Sequence, residues 1–240
     1  LHRHFRLTDV EAILDYLDEL GISDAYFSPY LAARPGSTHG YDVFDHGQIN
    51  PEIGDPETHE RLVSQMLERG MGRVVDVVPN HMGITGGNPF WFDLLENGKQ
   101  AESARYFDVD WYPVKEELEG RVLLPVLGDQ YGKVLEEGHL VVGRKGGSFH
   151  LDYFDHHFPL SPRSYGFILK QRPDVLDERL APDDFHLLEF RSVITAIENL
   201  PSREADEEES VALYRTEKEV IKHRIALLCD QCPELAQFID

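Results

Sequence analysis

The chain is poor in cysteine, in long apolar runs and in basic residues. Its 240 residues include only 2 cysteines, which excludes a disulfide framework and favours a reducing, cytoplasmic compartment. No run approaches the roughly 20 apolar residues of a membrane helix, so a membrane partner is not expected. Lys and Arg number 23 against 44 Asp and Glu, for a formal net charge of −21, and such a surface repels nucleic acid. The acidity suits a neutral or cationic ligand, although the need for solubility also explains it.

The two cysteines, Cys229 and Cys232, lie close together inside a helical pattern. A redox or zinc site of the C-x-x-C type needs a preceding strand or a second cysteine pair, and the sequence offers neither. We therefore predict reduced structural thiols, no metal and no cofactor.

Capping signals and apolar spacing predict two helices in the first seventy residues. Thr8 and Glu11 form a capping-box pattern ahead of the first helix, which Gly21 ends. Asp55 and Pro56 open the second helix as a cap residue followed by proline at the first helical position. The apolar positions expected to face a core are Ile13, Leu14, Leu17 and Leu20, and then Leu62, Val63, Met66 and Leu67.

Two short strands are predicted beside these helices, at residues 22–28 and 73–78, with a polar loop at 29–54 between them. The second strand is apolar almost throughout, apart from Asp76, which is typical of a parallel sheet covered on both faces. The alternation indicates an α/β fold, and ligands of such folds gather at the carboxyl ends of the strands.

This alternation stops after His81, and two further regions follow. Residues 82–160 predict a small β-rich insertion, and residues 161–240 predict a helical one. The candidate strands are 121–127, 139–142 and 148–153, and the candidate helices are 182–200 and 202–231. The predicted domains are therefore residues 1–81, 82–160 and 161–240.

Charges in the last predicted helix complement the helix dipole. An acidic run at residues 207–209 lies near its start, and Lys218, Lys222, His223 and Arg224 lie later. A solvated helical face is the simple explanation of this pattern, and a docking surface is the alternative.

Polar side chains follow the second predicted strand, in the hexapeptide DVVPNH of residues 76–81. A carboxylate in an apolar strand needs a partner, and an arginine on a neighbouring strand would let Asp76 orient another group. Asn80 and His81 offer donors and acceptors that suit sugar hydroxyls. A hydrogen-bonded loop cap explains the same residues without a ligand, and their chemistry alone leaves both possibilities open.

A second polar cluster, residues 36–46, follows the first predicted strand. Its glycines allow a tight backbone that exposes Tyr41 and Asp42, with His39 beside them. The face of a tyrosine ring is a platform for the C–H side of a sugar, and a carboxylate holds sugar hydroxyls. A tyrosine packed within its own loop is the alternative.

Taken together, the two clusters resemble the α-amylase family of glycoside hydrolases. Residues 76–81 are similar to that family's first signature, and GYDVFD at 40–45 with INPEIG at 49–54 is similar to the segment after its second barrel strand. Longer blocks resemble the maltooligosyltrehalose synthase branch of the family. They are residues 33–54, NPFWFDLLENG at 88–98, RYFDVDW at 105–111, RVLLPVLGDQYGKVLEEG at 121–138 and YFDHHFPLSP at 153–162.

The resemblance implies an incomplete (β/α)8 TIM barrel, with only the N-terminal strands present. In this branch the reducing-end α-1,4 linkage of a maltooligosaccharide becomes an α,α-1,1 linkage. The nucleophile and the acid/base would then lie beyond Asp240, and the remainder of the same polypeptide would be a partner. Because such a chain would expose an open sheet, we expect it to be unstable or to aggregate by itself. No calcium is expected, since this branch does not require it.

The resemblance also implies roles for six residues. Tyr41 would stack on the sugar at the cleavage site and His81 would hydrogen-bond one of its hydroxyls. Asp42 and Asn80 would line or brace the cleft, while Asp76 and His39 would orient the site, Asp76 by fixing an arginine beside the nucleophile. A glucan hydrolase of the same family and a non-catalytic maltooligosaccharide-binding module remain the alternatives.

Overall fold

A computed structural model describes residues 1–84, 87–172, 174–202 and 207–240. The chain forms two compact units, which we call the N-terminal unit (Leu1–Pro89) and the C-terminal unit (Phe90–Asp240). Within the described ranges, no helix combines the length and the apolar character needed to cross a bilayer. The division into domains at 81/82 and 160/161 stays a prediction.

The N-terminal unit alternates helices with short strands, so the predicted α/β class is confirmed. Its elements are α1 (Leu7–Glu19), β1 (Asp24–Phe27), β2 (Leu31–Ala33), β3 (Val43–Ile49), α2 (Pro56–Glu68) and β4 (Gly72–Val75). β1 pairs in parallel with β4, with Tyr26 opposite Val74 and Phe27 opposite Val75. The parallel pairing expected for βα units is therefore present.

Among the residues that the structure describes, one face of this parallel pair is covered and the other is exposed. Phe27 is 6% exposed and packs with core residues of α1 and α2. On the opposite face, Tyr26 is 69% exposed and Val74 is 53% exposed. The prediction of a sheet covered on both faces was wrong for this chain, because both helices pack on the Phe27 side.

The first helix begins two residues earlier than its capping box predicted. Arg6, not Thr8, is the cap residue, and its N–H donates to the Asp9 carboxylate at 2.7 Å. The buried stripe shifts accordingly to Leu7, Val10 and Leu14. Ile13 and Leu20, which were expected in the core, are 36% and 59% exposed.

The second helix begins where its cap signal predicted. Asp55 accepts the N–H of Thr58 at 2.7 Å, and Pro56 occupies the first turn. Leu62 and Met66 are buried as expected, whereas Leu67 is 70% exposed. The predicted polar loop at 29–54 contains an antiparallel pair, β2 with β3, which the sequence analysis missed.

The C-terminal unit packs helices against a three-stranded antiparallel sheet of order β5-β6-β7. Its elements, with α3 starting at the boundary, are α3 (Pro89–Asn97), α4 (Tyr131–Glu136), β5 (Val141–Lys145), β6 (Ser148–Tyr153), β7 (His156–Pro159), α5 (Tyr165–Leu169), α6 (Asp174–Arg179), α7 (Phe185–Glu198), α8 (Glu208–Gln231) and α9 (Pro233–Ile239). The strand predicted at 121–127 does not form, and β7 was not predicted. Phe149 of β6 joins the core made by these helices.

Helices α7 and α8 confirm the two long helices predicted from periodicity. α7 starts three residues later than predicted, and residues 203–206, at the predicted start of the second helix, lie outside the described residues. The prediction that the basic residues of α8 lie on a solvated face was wrong for Lys218, which is 8% exposed. Its Nζ donates to Glu96 Oε1 of α3 at 2.5 Å, and Lys222 Nζ donates to the same oxygen at 2.7 Å. Cys229 and Cys232 are free and buried, as predicted.

Candidate functional site

The two polar clusters meet beyond the carboxyl ends of β1 and β4. The N–H of Asp76 donates to the carbonyl of Phe27 at 2.9 Å, which extends the parallel ladder by one residue. Further along, the N–H of Gly83 donates to the carbonyl of Val43 at 2.7 Å. The segment after β4 therefore runs beside the start of β3. These backbone hydrogen bonds bring the two polar clusters together at the carboxyl ends of the strands, as the sequence analysis expected.

Gly40 sets the position of the tyrosine that follows it. Its φ is +78°, and a Cβ at this position would lie 2.6 Å from the carbonyl oxygen of Pro29. Only glycine allows so close an approach in that conformation. The loop is thus pressed against the end of β1, and Tyr41 projects from it towards Asp76.

Asp76 accepts hydrogen bonds from two phenols on a single oxygen. The Tyr26 hydroxyl donates to Asp76 Oδ2 at 2.6 Å, and the Tyr41 hydroxyl donates to the same atom at 2.7 Å. Bonds from hydroxyl to carboxylate in this range are short and charge-assisted. In this structure two phenols stand where the sequence analysis expected an arginine partner for Asp76.

These bonds favour the ionised carboxylate and the neutral phenols. The hydrogen bonds from Tyr26 and then Tyr41 lower the pKa of Asp76. The hydrogen bond to Asp76 raises the pKa of Tyr26 and that of Tyr41, and desolvation adds to both shifts. The cluster therefore holds a fixed negative charge beside two ring faces.

Tyr26 was not identified from the sequence. In β1 the aromatic residues Tyr26 and Phe27 are adjacent and lie on opposite faces, and the sequence DAYF does not show which of them is exposed. The strand register shows that Tyr26 faces Asp76, because Tyr26 lies opposite Val74 and Asp76 is two residues further along the same face.

His39 and Asp42 support the Tyr41 loop from within. The Tyr41 N–H donates to His39 Nδ1 at 3.0 Å, and the two rings stack at 5.9 Å between centroids. Asp42 Oδ1 accepts the Ser37 hydroxyl at 2.6 Å, and its backbone carbonyl accepts the Arg34 N–H at 3.1 Å. Both residues thus brace the loop in this structure.

Asn80 and His81 are exposed and bond to one another, with His81 Nδ1 at 3.2 Å from Asn80 Oδ1. Within the described ranges, no hydrogen bond joins either residue to Tyr41 or Asp76. The structure therefore brings Asp76, Tyr41 and His39 together, and a shared sugar contact of Tyr41 with His81 stays a prediction.

The cluster lies on an open surface. Tyr41 is 42% exposed and Val77 is 55% exposed, next to the exposed Tyr26 and Val74. A cavity of about 720 Å³ lies elsewhere in the N-terminal unit, among residues 47–56 with Arg6, Thr8 and Thr58. It includes none of the predicted site residues, so we do not assign it to the site.

Taken together, these groups suit a neutral ligand that is rich in hydroxyls. The carboxylate accepts hydrogen bonds, the exposed imidazole and amide both donate and accept them, and the tyrosine rings offer flat apolar faces.

Comparison with known proteins gives a consistent result. A family model described as alpha amylase, catalytic domain, matches residues 7–153. A Mycobacterium tuberculosis protein assigned as a maltooligosyl trehalose synthase is 45% identical over 126 residues, which is 52% of this chain and 16% of that protein. An intracellular maltogenic amylase of Bacillus subtilis is 39% identical over 104 residues, 43% of this chain and 17% of that protein. The solved maltooligosyltrehalose synthase of Arthrobacter ramosus has a TM-score of 0.58 and 41% identity, covering 67% of this chain and 20% of that one. The chain thus spans about a fifth or less of the length of these relatives.

Proposed function

The chain belongs to the α-amylase family, a family of TIM-barrel enzymes, and from this premise we propose that it is one side of the glucan site of a maltooligosyl trehalose synthase. The similarity to two such proteins supports this choice within the family. Since the chain spans only a small part of each relative, the proposal concerns a longer polypeptide, with the nucleophile and the acid/base beyond Asp240.

The proposed reaction is an intramolecular transglycosylation of the retaining type. A carboxylate attacks C1 of the second sugar while an acid protonates O4 of the reducing-end glucose, and the α-1,4 bond breaks. The freed glucose then turns and its anomeric hydroxyl attacks C1, which breaks the bond from C1 to the carboxylate. The group that acted as the acid, now ionised, removes the hydroxyl proton. An α,α-1,1 bond forms, no water is consumed, and the site must exclude water for this outcome.

The one-sided covering of β1 and β4 is the observation that carries the proposal. In a TIM barrel the helices form the outer ring and the opposite face of each strand points into the barrel. Here α1 and α2 cover the Phe27 face, so the exposed Tyr26 face corresponds to the interior. Asp76 and Tyr41 then lie at the carboxyl end of that interior face, which is where barrel enzymes bind substrate.

The bonds at Asp76 refine the roles proposed for single residues. Since Asp76 holds the Tyr41 hydroxyl, the ring is fixed in orientation while 42% of its surface stays exposed, which suits stacking on one glucose unit. His81 and Asn80 would contact hydroxyls of the same sugar, and Asp42 and His39 would keep the loop in place. The fixed charge of Asp76 would orient an arginine contributed by a further strand.

Hydrolysis is the second candidate function, because the similarity to the Bacillus subtilis maltogenic amylase is of comparable extent. The two reactions share the first step and differ in what attacks C1 in the second. Incubating the full polypeptide with maltopentaose and separating the products distinguishes them. A non-reducing product of unchanged length supports the proposed transglycosylation. Release of free glucose or maltose would instead show that the protein is a hydrolase.

Binding of maltopentaose to variants tests the site itself. Tyr41→Ala is expected to weaken binding about threefold to tenfold, the size of a lost aromatic contact. The matched control is Tyr131→Ala, since Tyr131 is 63% exposed on α4 of the other unit. If the two substitutions changed maltopentaose affinity equally, Tyr41 would not be part of the binding site. Binding without turnover in the full polypeptide would favour the non-catalytic binding module.

A further inference from the structure

Three side chains with metal-ligating atoms lie on one face of the β6–β7 hairpin. His150 and Asp152 are two residues apart on β6, so their side chains share a face. His157 of β7 lies directly opposite Asp152 in the antiparallel register, which places it on that same face. The three residues are neighbours through strand pairing, and no long loop has to be fixed to hold them.

Their polar atoms converge on a small volume. One ligand atom from each of the three residues lies within 4.8 Å of the other two. His157 Nδ1 is 2.6 Å from Asp152 Oδ1, and His150 Nε2 is 3.4 Å from Asp152 Oδ2. The two imidazole rings are 4.1 Å apart between centroids. The Asp152 carboxylate thus contacts both imidazoles, whose rings also pack against each other.

The neighbouring strand leaves space for this arrangement. Gly143 of β5 lies opposite His150 in the register. A Cβ on Gly143 would lie 2.5 Å from His150 Nε2, so any larger residue would require the imidazole ring to shift. The side chain of His150 is 14% exposed, while those of Asp152 and His157 are 41% and 48% exposed. The cluster therefore has a buried side that fixes it and an open side that admits an ion.

We propose that His150, Asp152 and His157 bind a zinc ion, with water in the fourth position. Two imidazoles and one carboxylate are a ligand set that Zn²⁺ takes in open tetrahedral sites. Calcium and magnesium are excluded as the preferred ions, because they take oxygen ligands almost alone. The sequence analysis predicted no metal, and this site departs from that expectation, because only the hairpin register brings the three residues together.

The required adjustment is small. With bonds of about 2.0–2.2 Å to zinc, tetrahedral ligand atoms lie about 3.3–3.5 Å apart. The separation of His150 and Asp152 already has this size. The distance from His157 Nδ1 to Asp152 Oδ1, 2.6 Å, must open by less than about 1 Å, and the ligand nitrogens of the two imidazoles, which lie within 4.8 Å of each other, must come to the same spacing. The bound ion would join β6 to β7 and stabilise the hairpin.

A cobalt titration tests the proposal, because tetrahedral Co²⁺ in a zinc site gives visible absorption bands. Chelator-treated protein is expected to bind one Co²⁺ saturably, and Zn²⁺ is expected to displace it and to raise the melting temperature. His157→Gln and Asp152→Asn should each weaken binding about tenfold or more. Circular dichroism checks that each variant keeps its fold, and two variants are used so that loss of fold in one does not decide the result.

His156→Gln is the matched control. His156 adjoins His157 in sequence but lies opposite Tyr153 in the register, so its side chain points to the other face of the hairpin. It should leave Co²⁺ binding unchanged. The absence of a saturable site would overturn the proposal. So would equal binding by His157→Gln and the unchanged protein, or loss of binding in His156→Gln alone.

Discussion

Replacing Glu96 by glutamine removes the carboxylate that two lysines of α8 share. Lys218 Nζ and Lys222 Nζ lie 2.5 and 2.7 Å from Glu96 Oε1. All three side chains are largely buried: Lys218 is 10% exposed, Lys222 is 14% exposed and Glu96 is 13% exposed. After the substitution, both ammonium groups would depend on Glu219, whose side chain is 60% exposed.

The expected loss of stability follows from the burial of the charges. Removing one partner of a buried ion pair costs about 3–5 kcal/mol, because the other charge is left without compensation. Lys218 keeps Glu219 at 2.8 Å, so we expect the lower end, about 3 kcal/mol. For a unit of this size, that loss corresponds to a melting temperature lower by about 6–12 °C. Burial alone would lower the pKa of Lys218, but its hydrogen bonds to Glu219 and Glu96 outweigh burial and raise it.

Tryptophan fluorescence isolates the unit that contains the cluster. Both tryptophans of the chain, Trp91 and Trp111, lie in the C-terminal unit, so urea or thermal unfolding followed by their emission reports on that unit. Glu219→Gln is the control: the Glu219 side chain is 60% exposed and Glu96 still pairs with both lysines, so we expect a loss of about 0–1 kcal/mol. Equal midpoints for Glu96→Gln and Glu219→Gln would refute the reasoning.

Three further predictions follow from the site and the core. In Asp76→Asn, the pKa values of Tyr26 and Tyr41 should fall back towards the ordinary value, as measured by ultraviolet titration. In the unchanged protein, the stability that the two phenols contribute is present below pH about 10 and is lost as the pH rises through their raised pKa values. No change in the titration would contradict the double hydrogen bond. Val74→Thr should reduce self-association of the isolated chain, because Val74 is 53% exposed on the uncovered sheet face; unchanged sedimentation would show that another surface is responsible. Burial raises the pKa of Cys229, so its reaction with a thiol reagent should be slow in buffer and fast in urea, and fast labelling in buffer would contradict the buried position.

Local sequence signals were sufficient to predict those structural features that depend on residues close together along the chain. The Asp55–Pro56 cap lies within four residues of the N–H group that it satisfies, and its helix begins as predicted. The alternation of helix and strand likewise predicted the parallel pairing of β1 with β4. The Thr8 capping box failed because Asp9 forms the same type of bond with Arg6, two residues earlier, and the sequence pattern alone does not show which of two overlapping caps forms.

Contacts between distant residues could not be predicted in the same way. Glu96 and Lys218 are 122 residues apart, and the charges of α8 alone are equally consistent with a hydrated face. β3 has the sequence VFDHGQI, which does not alternate, so its pairing with β2 gave no period-two signal. The motif at 76–81 did locate Asp76 at the candidate site, but Tyr26 became visible only once the strand register was known.

The uncovered sheet of β1 and β4 also has a use in protein engineering. Each strand has a single neighbouring strand among the described residues, and an unpaired sheet edge accepts another strand. Under the proposed function, a separately produced polypeptide that carries the adjoining barrel strands would dock there in parallel. On that proposal, the chain would serve as one half of a split reporter, in which the docking of the two halves is the signal.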